Sequence, residues 1–168
     1  RYLVALLSIG LLTPATWALI DTKNANYSQS WIDLELPGAG YDLKIQRTYN
    51  SRTLYEGIFG FGWCSNLETN LTIAAQSVTL TECGAGQETV FTMKAGKAGQ
   101  EGARYESNNN NQDSITFTKG YFQRSLPDGS LMRFNPKGEW LALFDRNGNF
   151  IKSNYSGGLI RGIEDNNG

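Results

Sequence analysis

The chain has 168 residues, the length of one domain or of one domain with part of another. It carries 15 Lys and Arg against 16 Asp and Glu, a formal charge of -1, so it has no basic surface to neutralise phosphates and nucleic-acid binding is not expected. It holds no His, which removes His-activated nucleophiles and His-ligated zinc, while 40% hydrophobic content with eight Phe, eight Tyr and four Trp is enough to bury a core.

Residues 1–18 read as a secretory signal peptide. Arg1 precedes the apolar run Tyr2 to Leu12, and Thr13-Pro14 leads into Ala15-Thr16-Trp17-Ala18, with small residues at the cut and three before it. The run is short of the roughly 20 apolar residues that span a bilayer. A buried strand or helix is the alternative for the same residues. The expectation is export to the periplasm, the cell surface or the medium, with no membrane span left after cleavage.

The rest of the chain reads as short strands. Ile32, Leu34 and Leu36 alternate with Asp33 and Glu35. Pro37-Gly38-Ala39-Gly40 then separates them from Tyr41 to Tyr49, where Tyr41, Leu43, Ile45 and Tyr49 share a face opposite Asp42, Lys44, Gln46 and Thr48. Period two predicts two strands of a hairpin. In Gly57 to Trp63, Gly60 and Gly62 leave one strand face bare so that backbone or a ring can lie close, while Phe59, Phe61 and Trp63 project together into the core. A sugar-stacking platform is the alternative there, and it requires the rings to be exposed.

Cys64 and Cys83 enclose 18 residues, and in an exported chain they are expected to form a disulfide contributing about 3 kcal/mol. A hairpin of Leu67–Ile73 with Val78–Cys83, turning at Ala75-Gln76, places Cys83 opposite Glu68. The chain must therefore bend between Trp63 and Asn66 for the sulfurs to meet. Thr89 to Met93 follows as a strand; Lys94 to Gly102 and Asn108 to Asn111 read as loops.

From Pro127 onward, turn signals recur about every ten residues, at Pro127-Asp128-Gly129, Pro136-Lys137-Gly138, Asn147-Gly148, Gly157-Gly158 and Asn166-Asn167-Gly168. They bracket Leu131–Phe134, Trp140–Phe144, Phe150–Tyr155 and Leu159–Ile163, a meander of hairpins. Asn147-Gly148 predicts a two-residue turn with both residues at positive φ. Gly138 to Gly148 superimposes on Gly158 to Gly168 at an offset of 20, with Gly138/Gly158, Asp145/Asp165 and Gly148/Gly168 in step. A unit that is one hairpin cannot bury its own apolar face and must stack on neighbours, so the array is expected to continue. The fold class is therefore all-β, built of antiparallel hairpins, with a boundary near residue 125: a β domain at 19–125 and the first repeats at 126–168.

Tyr49-Asn50-Ser51 followed by Gly57-Ile58-Phe59-Gly60-Phe61-Gly62-Trp63 resembles the N-terminal domain that precedes RHS/YD-repeat arrays. Asp145-Arg146-Asn147-Gly148-Asn149 to Tyr155, then Gly158 to Gly168, resembles the YD repeats themselves. The unit from Asp128 to Phe134 departs from the pattern in lacking the Tyr-Asp pair. The resemblance implies a strip of hairpins that coils into a hollow β-shell, or cocoon, enclosing a C-terminal effector or toxin. The partners would then be the remainder of the shell and its cargo.

No cofactor, metal or catalytic residue is assigned. Asp33 with Glu35 and Glu164 with Asp165 are the candidate carboxylate pairs, but a working acid needs a burial-raised pKa. The Asp and Asn of Asp145 to Gly148 lack the further spaced ligands of a calcium loop and read as turn formers. The expectation is a non-catalytic structural segment. The alternatives are a secreted carbohydrate-binding or adhesive module that meets cell-surface glycans, and a small hydrolase using paired carboxylates.

Overall fold

A computed structural model describes residues 18–21, 25–38, 40–83, 87–107, 113–156 and 159–166. Apart from Ala18, the expected signal peptide lies outside them, as do Asn108 to Asn111, Gly157, Gly158 and Gly168.

Every regular element among the described residues is a strand. The first sheet contains β1 (Ala18–Asp21), β2 (Asn26–Leu36), β3 (Leu43–Asn50) and β6 (Trp63–Ser65), in that order. A two-stranded ribbon, β4 (Glu56–Gly57) with β5 (Gly60–Phe61), is inserted between β3 and β6. The second sheet runs β7 (Asn70–Ile73), β8 (Ser77–Glu82), β9 (Gln87–Ala95), β10 (Arg104–Ser107), β11 (Ser114–Thr118), β12 (Tyr121–Ser125), β13 (Leu131–Phe134), β14 (Trp140–Phe144), β15 (Phe150–Ser156) and β16 (Leu159–Asp165). Each strand pairs with its sequence neighbours, a ten-stranded antiparallel meander. It crosses the expected boundary without a break, since β12 and β13 pair from Phe122↔Phe134 to Ser125↔Leu131.

The second sheet curls on itself. Its first strand reaches the turn between β13 and β14, where Leu71 N–H donates to Gly138 O at 2.8 Å and Asn70 bridges Glu139. Alternate residues of the intervening strands point inward: Leu71, Val78, Leu80, Phe91, Tyr105, Ile115, Phe117, Phe122, Phe134 and Trp140 form one buried cluster. Each fully buried large side chain contributes about 1.5–3 kcal/mol, which is what holds the roll closed. Beyond this seam β15 and β16 carry the sheet onward, and β16 has a partner on one side among the described residues. Among the described residues one charged pair, Arg124 and Asp113, is buried in the interior. Arg124 is gripped by Asp113 through Nε at 2.9 Å and Nη2 at 2.6 Å, and by Glu82 through Nη1 at 2.8 Å. Burial opposes its charge, but the two carboxylates outweigh that and hold the guanidinium protonated.

The hairpin of β2 and β3 forms as expected, with Leu36 opposite Leu43 and a bulge at Asp33. Its apolar face, however, is not a buried one. Thr48, on the polar face, is 6% exposed, whereas Leu36, opposite Leu43, is 50% exposed. Thr48 lies opposite Cys64, so the polar face is the one that carries the cysteine.

The turns after β12, β13 and β14 share one geometry. The first residue's N–H donates to the fifth residue's carbonyl, and a glycine at the fourth position takes positive φ: Leu126 with Gly129, Asn135 with Gly138, Asp145 with Gly148. The expected two-residue turn at Asn147-Gly148 is thus corrected. Only Gly148 is left-handed, at φ 85°. Asp145 stabilises this longer loop by accepting from Asn147 N–H at 2.7 Å and Asn149 N–H at 2.8 Å. The two-residue turn with both residues at positive φ occurs instead at Lys119-Gly120.

Candidate functional site

The bond between Cys64 and Cys83 is formed, with Cα atoms 5.6 Å apart, and it ties β6 of the first sheet to the end of β8 in the second. The bend that permits it lies at Ser65–Glu68, just past the expected position. Glu68 N–H donates to Ser65 O at 3.0 Å, and Glu68 Oε2 accepts from Ser65 N–H at 2.7 Å. The hairpin register, Ile73↔Val78, is the one that sets Cys83 across from Glu68.

Glu68 also organises the ribbon. Its Oε1 accepts from the Tyr55 hydroxyl at 3.0 Å and from Ile58 N–H at 2.8 Å. Burial, followed by the charge of Glu68 and this hydrogen bond, pushes the Tyr55 phenol up to about 12. A cleft of about 170 Å³ opens beside it, between Glu68, Glu139, Tyr155 and Ile160. Burial raises the Tyr155 pKa as well, with Glu139 adding to it. With three donors on Glu68 and Asn135 Nδ2 donating to Glu139 Oε2 at 2.5 Å, both carboxylates are engaged in holding loops. The space is below the roughly 300 Å³ of a small-molecule site.

The glycine-aromatic block does not form one strand, which corrects the reading of Gly57 to Trp63. Gly60 and Gly62 take φ of 94° and 77°, turning the chain out of β4 into β5 and again into β6. A Cβ on Gly62 would lie 2.9 Å from the Tyr49 ring, so the close approach expected there is real; Gly60 faces open space. Phe59 and Phe61 are not core residues: they are 38% and 62% exposed, because the ribbon lies on the outside of the first sheet. Trp63 is partly buried, with its ring 5.1 Å from Trp31 and 5.2 Å from Tyr49. Beside these rings sits a cation of the chain itself. The Arg47 guanidinium carbon lies 5.0 Å from the Trp63 ring centre and 5.9 Å from those of Trp31 and Phe59, and Nε lies 3.0 Å from Asp33 Oδ2 without the angle of a directed hydrogen bond.

The candidate carboxylates do not assemble into pairs. Asp33 is held by Arg47, Glu35 is exposed opposite Lys44, and Glu164 lies 3.7 Å from Lys152. Asp165, next to Glu164 on β16, points to the other face. Among the described residues no three Asp, Glu or Cys side chains gather as metal ligands. Gly138 is placed by the seam itself: a Cβ there would lie 1.9 Å from Leu71 O.

Sequence reasoning missed one relation that bears on function. Strand β14 carries a bulge at Leu141, between Phe134↔Trp140 and Arg133↔Ala142, and β16 carries one at Arg161, between Tyr155↔Ile160 and Asn154↔Gly162. The two positions are 20 apart, the offset of the repeat, but leucine and arginine share no residue signal.

Residues 19–91 match a family described as a domain of unknown function (DUF6531). The match covers less than half of the chain, takes in both cysteines and ends within β9. No curated protein matches the chain. The N-terminal stretch is thus similar to a recognised domain family whose description supplies no activity.

Proposed function

We propose that this chain is a non-catalytic structural segment of an exported RHS/YD-repeat protein, in which it builds part of a β-shell that encapsulates or presents a C-terminal effector or toxin. The observation that carries the reading is the recurrence of the bulge at Leu141 and Arg161 in strands 20 residues apart. A bulge bends and twists its strand, so one in every second strand would curve a long strip in a constant sense. The sheet also runs past its seam to the β16 edge, which the next hairpin would cover. A disulfide suits an exported chain. Electron microscopy of the full-length protein tests this: a hollow β-shell with residues 19–168 in its wall and a protease-protected C-terminal segment is expected. A compact particle with an unprotected C-terminus contradicts it.

A second reading, a secreted carbohydrate-binding or adhesive module, is favoured by one observation: the rings of Phe59 and Phe61 are exposed, as sugar stacking requires. Against it, Arg47 already packs against the rings of Trp31, Phe59 and Trp63. A saturable change in tryptophan fluorescence on glycan titration, lost in Phe61→Ala, would select this reading over the first.

A further inference from the structure

We propose that Cys64–Cys83 is a redox latch, whose reduction by a dithiol releases the first sheet from the rolled second sheet while the roll stays folded. The argument rests on where burial lies. Among the described residues, every buried hydrophobic side chain falls between Leu67 and Ala142, all within or beside the second sheet. Among the side chains described in β2, β3 and β6 no apolar one is fully buried; the buried residues of these strands are Thr48 and Ser65. Its exposed apolar side chains, Ile32, Leu34 and Leu36, gain nothing from docking.

Besides the disulfide, the described ties between the two sheets are loop contacts and polar ones: the turn between β2 and β3 packs on the second sheet, where a Cβ on Gly40 would lie 2.3 Å from the Asn149 side chain. Tyr41 and Ser130 share a hydroxyl contact at 2.9 Å, and Glu68 reaches back to the ribbon through Tyr55 and Ile58. Hydrogen bonds of this kind, one part-buried and two exposed, each contribute little net. The covalent bond is therefore the principal tie, and it closes a short loop that contains the Ser65–Glu68 bend.

The bond is also reachable. Both cysteines are partly exposed and line a cleft with Asn50, Thr53, Thr81 and Glu82. Exchange follows the usual course: a thiolate of the dithiol attacks one sulfur, the other cysteine leaves as thiolate, and the second thiol of the reductant displaces the first cysteine. Two electrons and two protons pass to the protein, giving two cysteine thiols, and the reductant becomes a disulfide.

The test is amide hydrogen exchange of the oxidised chain with and without dithiothreitol under native conditions, with free thiols counted in parallel. Reduction is expected to yield two thiols without denaturant and to speed exchange at least tenfold across β2 and β3, while β8 to β13 change less than twofold. A bond that resists reduction, unchanged exchange in β2 and β3 after full reduction, or loss of protection across β8 to β13 would each overturn the proposal. Cys64→Ser with Cys83→Ser should reproduce the reduced pattern without reductant; if that variant does not fold, the reduction experiment on the native chain still decides.

Discussion

Leu141 and Arg161 occupy the same place in two strands, each the extra residue of a bulge that lets its neighbours resume the inward and outward alternation. Trp140 and Ile160 precede the bulge, and Leu143 and Ile163 follow it as residues packed in or against the core cluster. The repeat is therefore a repeat of backbone shape as well as of turn residues.

The seam between β7 and the β13–β14 turn depends on Gly138. It combines φ of 89° with a would-be Cβ 1.9 Å from Leu71 O, whereas Gly148, at φ 85°, faces open space. Gly148→Ala is expected to cost about 1–2 kcal/mol from left-handed strain alone. Gly138→Ala must also push the seam apart and is expected to cost about 3 kcal/mol or more. Urea unfolding of the two variants measures the difference, and equal losses would mean that the seam contributes nothing.

Among the described residues Arg124 is the one buried cation, and removing it strands Asp113, which is 7% exposed. Arg124→Met is expected to destabilise the chain by about 3–5 kcal/mol. Adding Asp113→Leu to that variant should restore much of the loss, since the uncompensated carboxylate is then gone. A double variant no more stable than the single one would show that the charge is not the cause.

Hydrogen bonds from the Asn149 side chain, with backbone N–H groups of Asn149 and Asn147, hold the Asp145 carboxyl below its ordinary 3.8. Asp128 is lowered likewise by Ser130. A depressed native pKa adds stability that is complete above the unfolded value and is lost as pH falls through the native one. Stability should therefore fall below about pH 4, and the gap between the native chain and Asp145→Asn should narrow there. Urea midpoints between pH 5 and pH 2 provide the measurement; a gap that widens on acidification would reverse the assigned sign.

The Tyr55 phenol, pushed up to about 12, should titrate last among the accessible tyrosines. Glu68→Gln removes the charge while keeping an acceptor, so the Tyr55 titration is expected to move downward, with burial retaining part of the shift. Ultraviolet titration of the variant against Tyr55→Phe isolates this one group, and an unmoved titration would rule out Glu68 as a contributor.

Much of this fold was legible where glycine marks a turn, as at Gly129, Gly138 and Gly148, and where apolar residues recur at alternate positions, as in β2 and β3 despite the bulge at Asp33 and Arg47 in register with Ile45 and Tyr49. Strands β10 to β12 were missed because buried Ser107 and Arg124 break the apolar alternation and because Lys119 stands at φ 53°, where Asn or Asp would have announced the turn. The disulfide was legible from its context and the bend it requires. The exposure of Phe59 and Phe61 was not, because Gly60 and Gly62 act through positive φ, which breaks the strand that their spacing suggested. Glu68 was read only as the residue opposite Cys83, since its role depends on Tyr55, Ile58 and Ser65 converging only after the chain has bent.

The β16 edge tests the shell most directly. Hydrogen exchange across Leu159–Asp165 should be compared between residues 19–168 alone and the full-length protein. If successive hairpins zip onto this strand, its amides should exchange at least a hundredfold more slowly in the longer protein; equal rates in the two would show that β16 is a true edge and that no shell grows from it.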